Sequence, residues 1–296
     1  MMSAEIIDGR AIANDILGEL RARITYRRRS GKSVPKLVAV VVGDDPASRT
    51  YVRNKSRSAS DVGMESDVVV VPESTSDSKL AAILRDLNDR SDVHGIILQL
   101  PIPAHLDEVA AISNICLEKD VDGLTDASLG RLSRGDPVHS PATPAGIIEI
   151  LKRSKISTEG SHVVIVGRSM LVGRPLSIML SQRGSGLNAI VTLVHTGAQS
   201  LGDFTRFADI LIVATGQVNT ITTDLVRTGA TVIDVGTNWI SDSTRKSGRR
   251  LVGDVDFDGV QSVAGAVTPV PGGVGPMTVA MLLSNTLSAA VMLDGE

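Results

Sequence analysis

Short β-branched runs alternate with helical segments along this chain, and no other sequence feature constrains the fold as tightly. Residues 37–42 (LVAVVV) read as a buried strand ended by Gly43. Residues 46–62 read as a helix and 67–71 as a second strand. Residues 77–88 place Leu80, Ile83, Leu84 and Leu87 at helical spacing. Residues 95–100 (GIILQL) form a third strand, stopped by Pro101 and Pro103. Such a β-α-β-α-β series favours a mostly parallel sheet with right-handed crossovers.

A second series begins at 162–166 (HVVIV). It continues through a helix over 175–183 and strands at 190–194, 210–214 and 231–235. This pattern fits a doubly wound dinucleotide-binding domain. Between the series, 120–141 is rich in Gly, Asp, Ser and Arg and reads as the crossing between domains. Thr143 reads as a helix N-cap with Pro144 at the first helical position, the helix running to about residue 155. From Pro276 the chain reads as helical and packs back on the first domain. The expected fold class is therefore α/β, with one domain over 1–140 and 276–296 and a Rossmann-type domain over 141–275.

A length of 296 residues suits about two domains. Hydrophobic residues at 42% and charged residues at 21% exclude wholesale disorder. A net charge of -3 gives no support to a nucleic-acid coat or a polybasic membrane anchor. One Trp, two Tyr and three Phe are too few for base-stacking platforms. No nucleic-acid partner is expected. Cys116 is the lone cysteine, so no intrachain disulfide forms and a reducing, cytoplasmic compartment fits. Residues 1–10 carry no apolar signal-like region. The apolar tail, 278–293, reads as too short and too polar to span a bilayer.

The turn after 162–166 reads GRSMLVGRP (167–175). A glycine at a strand end permits a sharp turn and close approach of a phosphate, which the next helix N-terminus then faces. The spacing is neither G-x-G-x-x-G nor a P-loop, and by spacing alone a purely structural turn is equally compatible. Arg168 tilts the reading, because a guanidinium there can pair bidentately with a ribose 2′-phosphate. No acid stands after 190–194, where a 2′-OH acceptor belongs; the chain reads Val194-His195-Thr196. Both features favour NADP over NAD.

On the helix over 46–62, Tyr51 and Lys55 stand at i and i+4, on one face. An arbitrary pair of this kind is usually a solvated lysine beside a half-buried tyrosine. Here Gln99 lies at the carboxyl end of a parallel strand and Asp122 ends the same domain. Ligands of open α/β sheets gather at such strand ends, so a lysine, an amide and a carboxylate converge there.

These residues lie within blocks that resemble the bifunctional methylenetetrahydrofolate dehydrogenase/methenyltetrahydrofolate cyclohydrolase family. The blocks are SRTYVRNK (48–55), GIILQLPIP (95–103), KDVDGL (119–124), PATPAGIIEIL (141–151), VVIVGRSMLVGRP (163–175), ADILIVATG (208–216), GATVIDVG (229–236), GDVDF (253–257) and TPVPGGVGPMT (268–278). They run in family order over nearly the whole chain. The resemblance implies a folate-binding N-terminal domain, a Rossmann-type NADP domain and an active-site cleft between them. It implies NADP-dependent oxidation of 5,10-methylenetetrahydrofolate and hydrolysis of the methenyl product to 10-formyltetrahydrofolate, a one-carbon supply of the kind purine biosynthesis draws on.

It also implies roles. Lys55 is the catalytic residue of the cyclohydrolase step, Tyr51 lies along the folate ring, Gln99 hydrogen-bonds the lysine and Asp122 holds the pterin. Leu98 and Leu100 flank that site, and Pro271, Gly272, Gly273, Gly275 and Pro276 form a loop bordering folate and cofactor. Gly167, Arg168, Ser169, His195, Thr196 and Thr237 contact the cofactor. The family is a homodimer through its Rossmann domain. Two positions depart from its pattern: Ala142 replaces a cysteine that is not a required catalytic group, and His195-Thr196-Gly197-Ala198 replaces His-Ser-x-Thr. In the second, Thr196 keeps a hydroxyl but the second threonine is lost, which bears on the strength of the NADP preference and not on its direction.

A non-catalytic dinucleotide sensor has no use for Lys55, Gln99 and Asp122 together. A dehydrogenase of another small metabolite needs a different acid/base set. With no P-loop, ATP-dependent formyltetrahydrofolate synthesis is excluded. The five His residues show no ligand spacing and no metal is expected. His195 reads as structural or cofactor-adjacent, Asp254 and Asp256 as capping and turn residues, and Arg27, Arg28 and Arg29 as a solvated helix end.

Overall fold

A computed structural model describes residues 3–184, 186–245 and 248–295. β1 (Glu5–Ile6) and α1 (Gly9–Arg29) open the chain. β2 (Lys36–Val42), α2 (Pro46–Asp61), β3 (Glu65–Val71), α3 (Asp77–Asp89) and β4 (Gly95–Leu98) follow, then α4 (Glu108–Ile112) and α5 (Asp126–Arg134). Next come α6 (Ala142–Arg153), β5 (His162–Val166), α7 (Gly173–Ser181), β6 (Ile190–Val194), α8 (Gly202–Thr205), β7 (Ile210–Val213) and β8 (Thr231–Asp234). β9 (Asn238–Ser241), β10 (Arg249–Val252), α9 (Phe257–Val260), β11 (Ala266–Val267) and α10 (Val274–Leu293) complete the order.

The chain divides into two compact units. The three-stranded unit takes Asn14–Ala142 and the chain from Val279; the six-stranded unit takes the chain up to Ala13 and Thr143–Thr278.

In the three-stranded unit the strand order is β3-β2-β4, all parallel. Leaving β2, the chain crosses to β3 on one side and returns to β4 on the other, so the order reverses at the carboxyl end of β2. β2 is buried along six of its seven residues, as a central parallel strand covered on both faces must be. α3 is capped by Ser76 and buries Leu80, Leu84 and Leu87 against Val38, Val40 and Ile96. Each fully buried leucine contributes about 1.5–3 kcal/mol.

The six-stranded unit has the order β1-β11-β8-β7-β5-β6, parallel throughout. Here the reversal falls at β5, which has β6 on one side and β7 on the other. Val164, Val166, Leu211, Val213 and Val232 are fully buried in its core. β9 and β10 form an antiparallel hairpin beside the sheet.

Four sequence expectations need correction. The stretch read as an interdomain crossing holds α5, capped by Thr125 at its start and by left-handed Gly135 at its end, and lies wholly inside the three-stranded unit. Its Asp, Ser and Gly serve caps rather than a linker. Thr143 is inside α6, not its cap, and its hydroxyl meets that of Thr278 at 3.0 Å. Arg27 is 5% exposed rather than solvated. It donates to the Ala290 and Ser33 carbonyls and pairs with Asp294, so Arg27 is a buried tie, while Arg28 and Arg29 are exposed as expected. Finally, α10 is 20 residues long with a mean hydropathy of 1.5, enough by length and composition to cross a membrane. It nevertheless buries Ala280, Leu283, Leu287 and Ala290 within the protein, as a core helix does.

Candidate active site and cofactor cavity

Both candidate sites sit where strand order reverses, at the carboxyl ends of parallel strands. In the three-stranded unit Asp45 caps α2 by accepting from Ser48 N at 2.7 Å. Ser48, Val52 and Ala59 face inward, which leaves Lys55 half-buried along the edge of that face and Tyr51 44% exposed one turn before it. Gln99 continues from β4, its backbone amide bound to Val40 O. Its side-chain amide donates to Leu100 O at 2.6 Å, which turns Oε1 toward Lys55; Lys55 Nζ donates to it at 3.2 Å. Leu98 is buried behind this pair and Leu100 half-buried beside it, before a cis Leu100–Pro101 bond.

Asp122 lies on the loop between α4 and α5. Burial pushes its carboxyl above the usual carboxylate range, Lys55 pulls it down, and Asp120 adds to the rise. The loop is built on Asp120, which is 1% exposed. One carboxylate oxygen accepts from Gly123 N and Leu124 N, the other from Thr125 N and Ser128 Oγ. Asn285 ties down Val121 O and Ser140 O from α10. Lys119 is also buried and donates to Asn88 O and Arg90 O at the end of α3. Lys55 and Gln99 are thus in contact, and Lys55 is near enough to Asp122 to act on its carboxyl. Asp120 is the member that sequence reasoning missed, although a buried Asp three to eight residues before its partners is a local signal.

The six-stranded unit holds a cavity of about 430 Å³ lined by Gly167, Arg168 and Ser169 after β5, His195, Thr196 and Gly197 after β6, and Ala214 and Thr215 after β7. Gly167 has φ +127°, and a Cβ there would overlap the Ala214 carbonyl. A Cβ on Gly173 would overlap the Gly167 carbonyl. These two glycines therefore let three backbone segments close on one another. Ser169 Oγ accepts from Val172 N, and His195 Nδ1 accepts from Gly197 N, both at 3.1 Å. Arg168 is exposed, with no hydrogen-bond or ion-pair partner among the described residues. Among the described residues no carboxylate lines the cavity. A polyanion with an additional phosphate fits this donor set, and Arg168 and the Thr196 hydroxyl are the groups able to hold it.

Five of the six expected cofactor residues therefore share one cavity. Thr237 does not line it; it is exposed, just beyond β8. Ala214, Thr215 and Gly197 line it without having been singled out, and the signal for them was the carboxyl ends of β6 and β7. The Pro271–Pro276 segment belongs to the same unit. Its bond Val270–Pro271 is cis, Gly272 has φ +115°, and Gly272 O accepts from Arg10 N. Gly272 and Gly273 are buried, Pro276 is half-buried, and Pro271 and Gly275 are exposed. Among the described residues no three His, Cys, Asp or Glu side chains gather as a metal site.

Comparison with known proteins agrees with this geometry. Residues 141–293 match the tetrahydrofolate dehydrogenase/cyclohydrolase, NAD(P)-binding domain, and residues 7–122 match the catalytic domain of the same family. The bifunctional protein FolD of Chlorobium limicola is 48% identical over 286 residues, covering 96% of this chain and 97% of that protein. FolD of Chlorobium chlorochromatii is 45% identical, covering 98% and 99%. Among solved structures, the Trypanosoma brucei methylenetetrahydrofolate dehydrogenase-cyclohydrolase, complexed with NADP cofactor and inhibitor, superposes with a TM-score of 0.94 at 37% identity, covering both chains fully. The Campylobacter jejuni FolD enzyme gives 0.91 at 38% identity, covering 98% of this chain and 99% of that one. With both domains matched and near-complete coverage of its relatives, this chain belongs to the tetrahydrofolate dehydrogenase/cyclohydrolase family.

Proposed function

We propose that this protein oxidises 5,10-methylenetetrahydrofolate to 5,10-methenyltetrahydrofolate with NADP+ and hydrolyses the product to 10-formyltetrahydrofolate. The observation that carries the reading is the Lys55–Gln99 contact beside Asp122, in a chain of this family. When bound, the dinucleotide supplies the hydride acceptor. Folate nitrogens flank the carbon that loses hydride and stabilise the cation, so the protein's task in that half is orientation. Asp122 accepts from pterin N–H groups, and Tyr51, Leu98 and Leu100 pack the folate. The loop of Pro271, Gly272, Gly273, Gly275 and Pro276 also contacts ligand.

Hydrolysis makes different demands. Water adding to the methenyl carbon loses a proton, and the nitrogen that leaves it gains one. Lys55 Nζ carries that proton, with Gln99 Oε1 fixing its position. Arg168 and Thr196 hold the 2′-phosphate, Gly167 and Ser169 the pyrophosphate side, and His195 and Thr237 the remainder of the cofactor. The absence of a carboxylate from the cavity lining supports NADP over NAD.

The enzyme acts as a cytoplasmic homodimer feeding one-carbon units to purine biosynthesis. β6 supports the dimer: it is an edge strand of the larger sheet with Ile190 63% and Leu193 39% exposed. The single free cysteine fits a reducing compartment.

The test is one spectrophotometric series. Conversion of methylene- to methenyltetrahydrofolate is followed with NADP+ and NAD+ in parallel, and the decay of supplied methenyltetrahydrofolate is then followed without dinucleotide. Both activities, with NADP+ preferred, are expected. Decay at the uncatalysed rate would remove the hydrolase half of the reading.

A further inference from the structure

Two carboxylates in the six-stranded unit are fully or almost fully buried and have no part in the chemistry above: Asp234 at 2% exposure and Asp254 at 0%. Both could have been replaced by apolar residues at lower desolvation cost. Instead each accepts three hydrogen bonds. Asp254 Oδ2 accepts from Thr215 N at 2.6 Å and from Gly216 N at 2.9 Å, and Asp254 Oδ1 accepts from Asn238 Nδ2 at 2.8 Å. Asp254 is in turn seated by Asp234, whose two oxygens accept from Gly236 N, Asp254 N and Val255 N at 2.9–3.0 Å. Two glycines are shaped around the pair. A Cβ on Gly236 would overlap the Asp254 carboxylate, and one on Gly253 the Asp234 carboxylate.

The amides that Asp254 holds belong to the turn that closes the cofactor cavity after β7. Ala214 and Thr215 line that cavity, and the Ala214 carbonyl is the atom against which Gly167 packs without room for a Cβ. A shift of residues 214–216 therefore moves two walls together. Thr215 Oγ1 is in addition bonded to Thr220 Oγ1, so its side chain is fixed from the opposite side.

We infer that Asp254, seated by Asp234, is a positioning residue for the dinucleotide: it fixes the backbone turn Thr215–Gly216 against Gly167 and so sets the shape of the phosphate-binding cavity. The inference rests on the cofactor reading above and extends it to residues that touch no ligand.

Asp254→Asn tests it. An asparagine can still accept both turn amides through its one oxygen, but its NH2 then meets the NH2 of Asn238. Losing the charge and creating this donor–donor contact should weaken NADP+ binding, read by titration, about ten- to a hundredfold. Amide exchange at Thr215 and Gly216 should accelerate in the free protein. Hydrolysis of supplied methenyltetrahydrofolate, which draws on Lys55 and Gln99, should change far less. The exchanged pair Asp254→Asn with Asn238→Asp restores donor to acceptor between the two side chains, while giving up the Asn238 Nδ2 bond to Gly253 O, and should recover part of the affinity, which a general loss of stability would not allow. If the single variant is too unstable to purify, Asn238→Ala keeps the charge, removes one donor, and should cost several-fold in NADP+ affinity. Unchanged affinity in these variants, or equal loss of both activities without recovery in the exchanged pair, overturns the assignment. A wild-type protein that binds no NADP+ overturns the cofactor reading itself.

Discussion

The two reversal points of this molecule solve the same topological problem with different materials. In the three-stranded unit the site is made of side chains: a lysine, an amide and a carboxylate, each aimed by a hydrogen bond or a buried loop. In the six-stranded unit it is made mostly of backbone: glycine turns closing on each other, strand-end segments and an exposed arginine. A proton must be carried by a particular atom, so the first site depends on identity at single positions. A long polyanion is held by many weak donors, so the second depends on shape and should fail gradually.

The contrast is broken most directly at Lys55. Lys55→Met is expected to lower cyclohydrolase activity about 10²–10⁴-fold, the usual worth of a general acid/base group. Dehydrogenase activity should remain measurable, so methenyltetrahydrofolate accumulates when methylenetetrahydrofolate and NADP+ are supplied. Methenyl absorbance followed alongside NADPH decides the matter. Hydrolysis at the wild-type rate removes Lys55 from the mechanism.

Arg168 sharpens the other half. Arg168→Ala should weaken NADP+ about ten- to a hundredfold, the loss of one charge-assisted contact, and should weaken NAD+ far less. Parallel titrations with the two dinucleotides measure this. Equal losses would make Arg168 a structural part of the turn and give the backbone site no charged anchor.

The smallest effect concerns stability. Burial pushes the Asp234 carboxyl up to about 6, against the pull of the Asp254, Gly236 and Val255 amides, and the Asp254 charge adds to the rise. A carboxyl whose folded value is raised binds its proton more tightly when folded. Its contribution is full below the unfolded value near 4 and is lost as pH rises through 6. Wild type should therefore lose about 1 kcal/mol relative to Asp234→Asn between pH 5 and pH 7. Thermal unfolding of both proteins across that range reads the difference. A constant gap would mean that Asp234 does not titrate there.

Legibility in the sequence followed the range of the interactions. β2, β5 and β6 were readable to within a residue because a central or parallel strand is a continuous apolar run. The two-residue β1 and β11 gave no such run, since their positions depend on partners far along the chain, and the β9–β10 hairpin, local in sequence, is too exposed to carry one. The two buried aspartates show the same divide within the sites. Asp120 bonds residues three to eight places ahead, a pattern a local reading can find. Asp254 bonds a turn 38 and 39 positions earlier, so as a sequence it offered only alternating acids. Its neighbour Asp256 does cap α9, as those acids suggested. Arg27 is the converse case: three consecutive arginines suggest solvent, but Asp294, its ion-pair partner, lies near the other end of the chain.

The interleaving of the two units also bears on synthesis. β1 leaves the ribosome early, yet its single strand partner is β11, which follows long after. Co-translational folding from the N-terminus, the common order for multidomain chains, is closed to the six-stranded unit. Its opening strand must wait while Asn14–Ala142 emerges, collapses around the valines of β2 and forms its own sheet. β1 is thus made long before the strand it pairs with, and until β11 emerges the nascent chain carries an unpaired strand that a chaperone or a neighbouring nascent chain can capture.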